Sequence, residues 1–224
     1  MIPWKEIGRA EVPGHEGEVI LLNRGTEFSI RTAGTELMNS RLHGSESALA
    51  ELACGRLKRK SSLKILIGGL GMGYTLAAAL GRSEPDTIIT VSELIPAVVG
   101  WNREHLGHLA GTPLDDPRVS VVEEDVVETI RKRKAAWDAI LLDVDNGPDG
   151  LTRKTNDRLY FEPGLKMSFS ALRPGGILAV WSSGADEAFT RRLKQCGFRT
   201  ETVIVPARKP GKGGRRTIFL ARRP

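Results

Sequence analysis

Lys64-Ile65-Leu66-Ile67-Gly68-Gly69-Leu70-Gly71-Met72-Gly73-Tyr74-Thr75-Leu76-Ala77-Ala78-Ala79-Leu80 is the stretch whose reading decides the fold. A short apolar run breaks into a glycine-rich segment and then resumes with helix formers, which predicts a strand, a tight turn and a helix. Glycine suits such a turn for two reasons. It adopts backbone angles closed to other residues, and its missing side chain lets a ligand approach the amides at the helix start. A second β-branched run, 88–91, leads to Glu93, which lies 20 residues beyond Gly73. An acidic residue at the end of the second strand is placed to accept hydrogen bonds from ribose hydroxyls, so the unit reads as nucleotide-binding.

The chain on either side extends this pattern. Pro96, at a first-turn position, opens an amphipathic helix through Val98, Val99, Leu106 and Leu109 that ends at Gly111-Thr112-Pro113. A third strand, 119–122, closes on Glu123-Glu124-Asp125, and 126–134 reads as a helix with a basic end. The fourth strand, 137–142, runs into Asp143-Val144-Asp145-Asn146-Gly147-Pro148-Asp149. Residues 159–172 are helical with a break near Pro163-Gly164, and Arg173-Pro174-Gly175-Gly176 turns into a strand at 177–181. A further helix over 187–196 precedes two strands, 202–205 and 217–221, which flank a basic segment as a hairpin. Alternating strands and helices with an antiparallel finish predict an α/β, doubly wound Rossmann-like sheet of the class I methyltransferase type. Upstream, 19–22 and 28–30 form a small hairpin or meander, and Ser45 with Glu46 caps a helix carrying Leu49, Leu52, Ala53 and Leu57. The expected organisation is a short β extension over 1–44 and a cofactor-binding domain over 45–224.

Composition narrows the functional classes. With 224 residues, 40% of them hydrophobic, one main core is expected. The net charge of +6 keeps a polyanionic partner open, but much of the excess lies in 208–216 and in Arg222-Arg223. Such a run is ordinarily a solvated loop. No aromatic residue interleaves with its charges as a base-stacking surface requires, so nucleic acid is the less favoured partner. Cys54 and Cys196 show no C-x-x-C spacing, which argues against a disulfide framework or a zinc site. His105 and His108 share a helix face without an evident third ligand, so no metal is expected. No apolar run approaches the roughly 18 residues of a membrane span, and a cytoplasmic protein without a membrane partner is expected.

In order and spacing, five features resemble the spermidine synthase family of polyamine aminopropyltransferases. They are the glycine turn, the Glu93 strand end, Asp116-Pro117-Arg118-Val119 before Glu124-Asp125, the Asp143 strand end, and Leu172-Arg173-Pro174-Gly175-Gly176. The resemblance covers about 63–181, and its Pro-Gly-Gly turn is shared with the wider class I methyltransferases. It implies decarboxylated S-adenosylmethionine, or S-adenosylmethionine, as co-substrate, with no metal. By position it implies that Glu93 holds the ribose hydroxyls and Asp125 the adenine amino group. Gly68, Gly69, Gly71 and Gly73 would lie along the sulfonium tail. A homodimer is implied as well.

Two departures from the family pattern bear on the chemistry. The family's G-G-G-D-G-G turn has Gly71 here in place of its Asp, a carboxylate that faces the amine end of the donor in the synthases. Losing it removes a partner for the donor's ammonium and a repulsion against the carboxylate of ordinary S-adenosylmethionine. In the family's D-x-x-D-P loop the second Asp is replaced by Asn146, which accepts a hydrogen bond but carries no charge; Asp145 and Asp149 are the candidate replacements. Three readings therefore stand. In aminopropyl transfer Asp143 positions an acceptor amine and takes its proton, because an alkylamine with a pKa of about 10.4 is mostly protonated at neutral pH. Tyr160 or Tyr74 would line the amine site, although packing is the commoner use of such residues. In methyl transfer Asp143 orients an acceptor atom, no second carboxylate is needed, and the acceptor is a small molecule rather than RNA or DNA. The third reading is a non-catalytic nucleotide-binding homologue.

Overall fold

The computed structural model describes residues 2–14, 16–58, 61–144, 157–208 and 212–224. Four strands precede the glycine turn: β1 (Lys5–Glu11), β2 (Glu18–Arg24), β3 (Glu27–Thr32) and β4 (Thr35–Asn39), paired in chain order as an antiparallel sheet. The sequence predicts only a hairpin or meander here. The additional strand β1 carries four charges in seven residues and no apolar run, and it is held by its register with β2, from Lys5 against Asn23 to Glu11 against Glu18.

The second sheet has the order β10-β11-β9-β8-β5-β6-β7. It is built from β5 (Lys64–Gly68), β6 (Ile88–Ser92), β7 (Val119–Val122), β8 (Trp137–Leu142), β9 (Leu172–Ser182), β10 (Arg199–Arg208) and β11 (Lys212–Arg222). Strands β7, β6, β5, β8 and β9 run parallel, and β11 is inserted antiparallel between β9 and β10. All six residues of β8 are buried, as expected for a central strand covered on both faces. Successive side chains leave a strand on opposite faces. Ile65, Ile67, Ala139 and Leu141 accordingly join one apolar cluster, while Leu66, Ile140 and Leu142 join the other.

Helices α1 (Gly44–Arg56), α2 (Tyr74–Gly81), α3 (Pro96–Trp101), α4 (Val126–Arg131), α5 (Asp157–Tyr160), α6 (Glu162–Ala171) and α7 (Glu187–Gln195) complete the layers. Val19, Leu21, Phe28 and Ile30 of the N-terminal sheet share the first cluster with Leu49 of α1 and Leu76 of α2, so the two sheets are joined by common apolar packing. The chain leaves β5 for β6 on one side and returns through β8 on the other. This places the switch in strand order between β5 and β8, where ligands bind at the carboxyl ends of the strands.

Two local readings are corrected. The helix expected to continue from Pro96 through Leu109 ends at Trp101, gives way to a π turn over Asn102–Leu106, and closes with a 3-10 turn over Gly107–Ala110. The cause is visible in the bonding: Asn102 donates from Nδ2 to the carbonyls of Val98 (2.9 Å) and Gly71 (2.7 Å), tying this helix to the glycine turn. Ser45 and Glu46 do not cap α1 either. Its N-cap is His43, with no side-chain cap bond, and both residues lie inside the first turn, buried.

Candidate active site

The turn after β5 is shaped by contacts that leave no room for side chains. Gly69 has φ +86°, and a Cβ there would stand 2.5 Å from the carbonyl oxygen of Asp143. Gly69 donates to Ser92 O (2.9 Å) and Asp143 donates to Gly68 O (2.9 Å), so the ends of β5, β6 and β8 are laced together. Gly73, also at positive φ, is the N-cap of α2. Glu93 is buried and grips the turn: Oε2 accepts from Leu70 N at 2.8 Å and Oε1 from Ile95 N at 2.9 Å. A carboxylate oxygen has two lone pairs, so a carboxylate that accepts from backbone amides can accept from a ligand hydroxyl as well.

A cavity opens above these strand ends. Of the residues named from sequence, Gly69, Gly71, Glu93, Asp125 and Asp143 line it. Gly68 and Gly73 flank the turn outside the lining; a Cβ on Gly68 would meet Val126 Cγ2 at 2.8 Å, on the side of α4. Asp125 is both lining and cap, since its Oδ1 accepts from Val127 N at 2.9 Å at the start of α4. Tyr160 packs edge-on against Phe189 and is not itself in the lining, but its hydroxyl donates at 3.3 Å to the carbonyl of Val144, a lining residue. Tyr74 stacks on His43 with ring centroids 4.1 Å apart. Asp145, Asn146 and Asp149 lie outside the described residues. Among the described residues, no group of three or more His, Cys, Asp or Glu side chains is arranged to hold a metal ion.

The cavity also contains residues that sequence reasoning missed. Val19, Ile30, Leu37 and Met38 of the N-terminal sheet give it an apolar wall, Trp181 of β9 adds an aromatic one, and Glu46 adds a fourth acidic side chain. Met38 fills the space beside Gly71: a Cβ on that glycine, whose φ is +53°, would lie 2.8 Å from Met38 Sδ. Glu46 is buried, and its Oε2 accepts from Ser45 Oγ at 2.6 Å. Thr75 Oγ1 stands 2.6 Å from Asp143 Oδ2 and 3.2 Å from the Glu46 carbonyl oxygen.

That last arrangement constrains the protons. A threonine hydroxyl has one proton to give. With Asp143 ionised, the proton goes to its carboxylate and the Glu46 carbonyl keeps only its place in the α1 ladder. With Asp143 protonated, the carboxyl can donate to Thr75 and Thr75 to the Glu46 backbone carbonyl, which adds one hydrogen bond. Burial raises the Asp143 carboxyl well above the usual carboxylate range, which the Thr75 bond only partly offsets. Burial likewise raises Glu46, the charge of Asp143 raises it further, and the Ser45 bond and the more distant Arg216 oppose the rise. Asp143 keeps part of its surface open to the cavity, while the dense protein around its carboxyl makes ionisation costly.

The β7-β6-β5-β8-β9-β11-β10 sheet, with its glycine turn and acidic cavity at the switch point, defines a protein on the class I methyltransferase fold. A family model described as the spermine/spermidine synthase domain matches residues 47–189, more than half of the chain, and the chain belongs to that family. It is 32% identical over 120 residues to polyamine aminopropyltransferase 2 of Pseudomonas aeruginosa, covering 52% of this chain and 32% of that protein. It is 30% identical over 178 residues to the polyamine aminopropyltransferase of Aeropyrum pernix, covering 79% of this chain and 52% of that one. The chain thus spans between about a third and a half of the length of these curated relatives. A crystal structure of spermidine synthase from Thermotoga maritima superposes with a TM-score of 0.76 at 18% identity, covering 98% of this chain and 73% of that chain. A spermidine synthase in complex with the transition state analogue AdoDATO gives 0.75 at 18% identity, with 98% and 72% covered, and both likenesses bear on the fold.

Proposed function

We propose that this chain binds decarboxylated S-adenosylmethionine and transfers its aminopropyl group to a polyamine-type amine. One observation carries the reading: the cavity at the switch point is lined by Glu46, Glu93, Asp125 and Asp143, and no basic side chain is among its described lining residues. A carboxylate-lined, partly apolar cavity favours a sulfonium cation and an ammonium over an anionic ligand. Glu93 and Asp125 supply acceptors for the ribose hydroxyls and the exocyclic amine of adenine, and the glycine turn lets the tail pass close to the backbone. Asp143 positions the acceptor amine and takes its proton, and in-line orientation supplies much of the acceleration. An apolar wall favours a transition state in which the sulfonium charge is disappearing.

Gly71 with Met38 beside it favours a second reading, methyl transfer from S-adenosylmethionine to a small molecule. An apolar thioether stands where the family's carboxylate would repel the amino acid carboxylate of that donor. Incubation with decarboxylated S-adenosylmethionine and a panel of diamines, with chromatography for methylthioadenosine and the extended amine, tests the first reading; methylated product from S-adenosylmethionine instead would select the second. By family we also take the working species to be a homodimer in the cytoplasm. A monomer at micromolar concentration in light scattering would refute the dimer. Among the described residues no helix is long and apolar enough to cross a membrane.

A further inference from the structure

Against the family pattern the acceptor loop is one carboxylate short, because Asn146 replaces its second Asp, and Gly71 removes another on the donor side. The cavity holds a carboxyl that neither role accounts for. Glu46 enters from the first turn of α1, a different element from every motif of the nucleotide-binding unit, and it is 8% exposed. Its neighbours are Ser45 on its own helix, Asp143 at the end of β8, Tyr74 and Thr75 at the start of α2, and Arg216 on β11. A carboxyl so buried is costly unless paired or put to use. Ser45 satisfies one oxygen, and among the described residues no cation forms a salt bridge with it; the closest influence of that sign, Arg216, acts at longer range.

We propose that Glu46 is the second carboxyl of the acceptor site, forming with Asp143 a proton-sharing pair that receives the ammonium of a primary amine. This rests on the aminopropyl-transfer reading and specifies its acceptor side. Two carboxyls in one desolvated pocket do not both ionise readily, so the empty pair retains a proton near neutrality. An entering alkylammonium replaces that proton as the counter-charge. Asp143 then takes one proton from the ammonium, leaving a neutral amine while Glu46 keeps its negative charge. The nitrogen lone pair forms the new N–C bond, and the C–S electron pair passes to sulfur, leaving a neutral thioether. The product nitrogen carries the positive charge and leaves with it, and Asp143 keeps the proton it took, which restores the singly protonated empty pair; the one proton released per turnover is the one displaced when the ammonium entered. Thr75 acts as a positioning residue, since its hydroxyl links Asp143 Oδ2 to the backbone of the residue that bears the second carboxyl. Trp181 lines the same cavity, and the Arg216 guanidinium lies over its ring, 5.8 Å from the centroid.

The test separates this proposal from the reading beneath it. Glu46→Gln keeps the side-chain size and an acceptor for Ser45. Binding of methylthioadenosine, and then of 1,4-diaminobutane to the methylthioadenosine complex, is measured calorimetrically at pH 6 and pH 8 in wild type and variant, while carboxyl carbon NMR follows the titration of Asp143 in the ligand-free protein. The expected result is methylthioadenosine affinity within twofold, diamine affinity at least tenfold weaker in the variant, and an Asp143 midpoint moved to lower pH once Glu46 carries no charge. Equal diamine affinity in both proteins would overturn the role of Glu46 while leaving the nucleoside site standing. Wild type that binds no methylthioadenosine would overturn the underlying reading, and an Asp143 midpoint unchanged by Glu46→Gln would overturn the pair itself.

Discussion

Replacing Glu93 with Gln tests how the site is held. The carboxylate accepts from two backbone amides, Leu70 N at 2.8 Å in the glycine turn and Ile95 N at 2.9 Å after β6, and the side chain is 7% exposed. A glutamine offers one carbonyl oxygen and one NH2 group, so one amide keeps a neutral bond while the other faces a donor. A hydrogen bond to a charged group contributes about 1.5–3 kcal/mol, and a buried donor left unsatisfied costs about 1–3 kcal/mol. The variant should therefore lose roughly 2–4 kcal/mol of stability, read as a lower urea midpoint at unchanged slope. For a domain of ordinary stability, about 5–15 kcal/mol, it remains folded at 25 °C. A loss below about 0.5 kcal/mol, at the level of an ordinary surface change, would refute the claim that this carboxylate anchors the turn. Glu93→Ala, checked as folded, should bind the nucleoside at least tenfold more weakly, and unchanged affinity would remove the ribose assignment.

Three further outcomes follow from the same geometry. Asp143→Asn should abolish transfer while leaving nucleoside affinity within about twofold, since calorimetry and turnover report different parts of the cavity; retained turnover would remove Asp143 from the mechanism. Gly71→Asp, which restores the family residue, places a side chain at φ +53° and against Met38 Sδ. It should cost about 1–2 kcal/mol for the left-handed backbone, with any excess recovered when Met38→Ala is added, and a double variant no more stable than the single would show that Met38 is not the obstacle. The Glu46 and Asp143 carboxyls are both raised above their unfolded values by burial. Their contribution to stability is complete below about pH 4, where both are protonated in either state, and is lost as pH rises through the raised folded values. Wild type should thus lose stability toward pH 8 relative to Glu46→Gln, and parallel urea midpoints from pH 5 to pH 8 would contradict the burial of an ionising pair.

The fold was legible where pattern and packing coincide. The run at 137–142 became β8, a central parallel strand covered on both faces and therefore largely apolar, and the run at 119–122 became β7, a half-buried edge strand paired with β6. The glycine turn was legible because it needs backbone freedom in a fixed place, whereas the Pro-Gly-Gly segment, read as a turn before a strand at 177–181, lies inside β9 where its register with β8 shifts between Trp137 and Ala139. Strand β1 carried no such signal, since an antiparallel strand open to solvent is held mainly by its partner. The π turn at Asn102 followed from a bond to Gly71 across 31 residues, which helical periodicity does not encode. Within the cavity, Gly69, Gly71, Glu93, Asp125 and Asp143 are contributed by the sheet's own strand ends, so their sequence positions imply their neighbourhood. Glu46 and Met38 reach the cavity from α1 and β4, and an acidic residue in a first helical turn ordinarily signals a cap. The one available signal was the run of small apolar residues Ala48, Ala50 and Ala53 behind it. All three are buried, which marks α1 as a helix packed on more than one side whose first turn is also enclosed.

The central claim, an acidic cavity built for a sulfonium nucleoside at the switch between β5 and β8, is tested most directly by calorimetric titration with decarboxylated S-adenosylmethionine and, separately, with S-adenosylmethionine. Preference for the decarboxylated donor by more than tenfold, about 1.4 kcal/mol, is the result predicted if Glu46, beside the family's Asp143, makes up for the missing carboxylates. Binding of neither nucleoside would contradict the account.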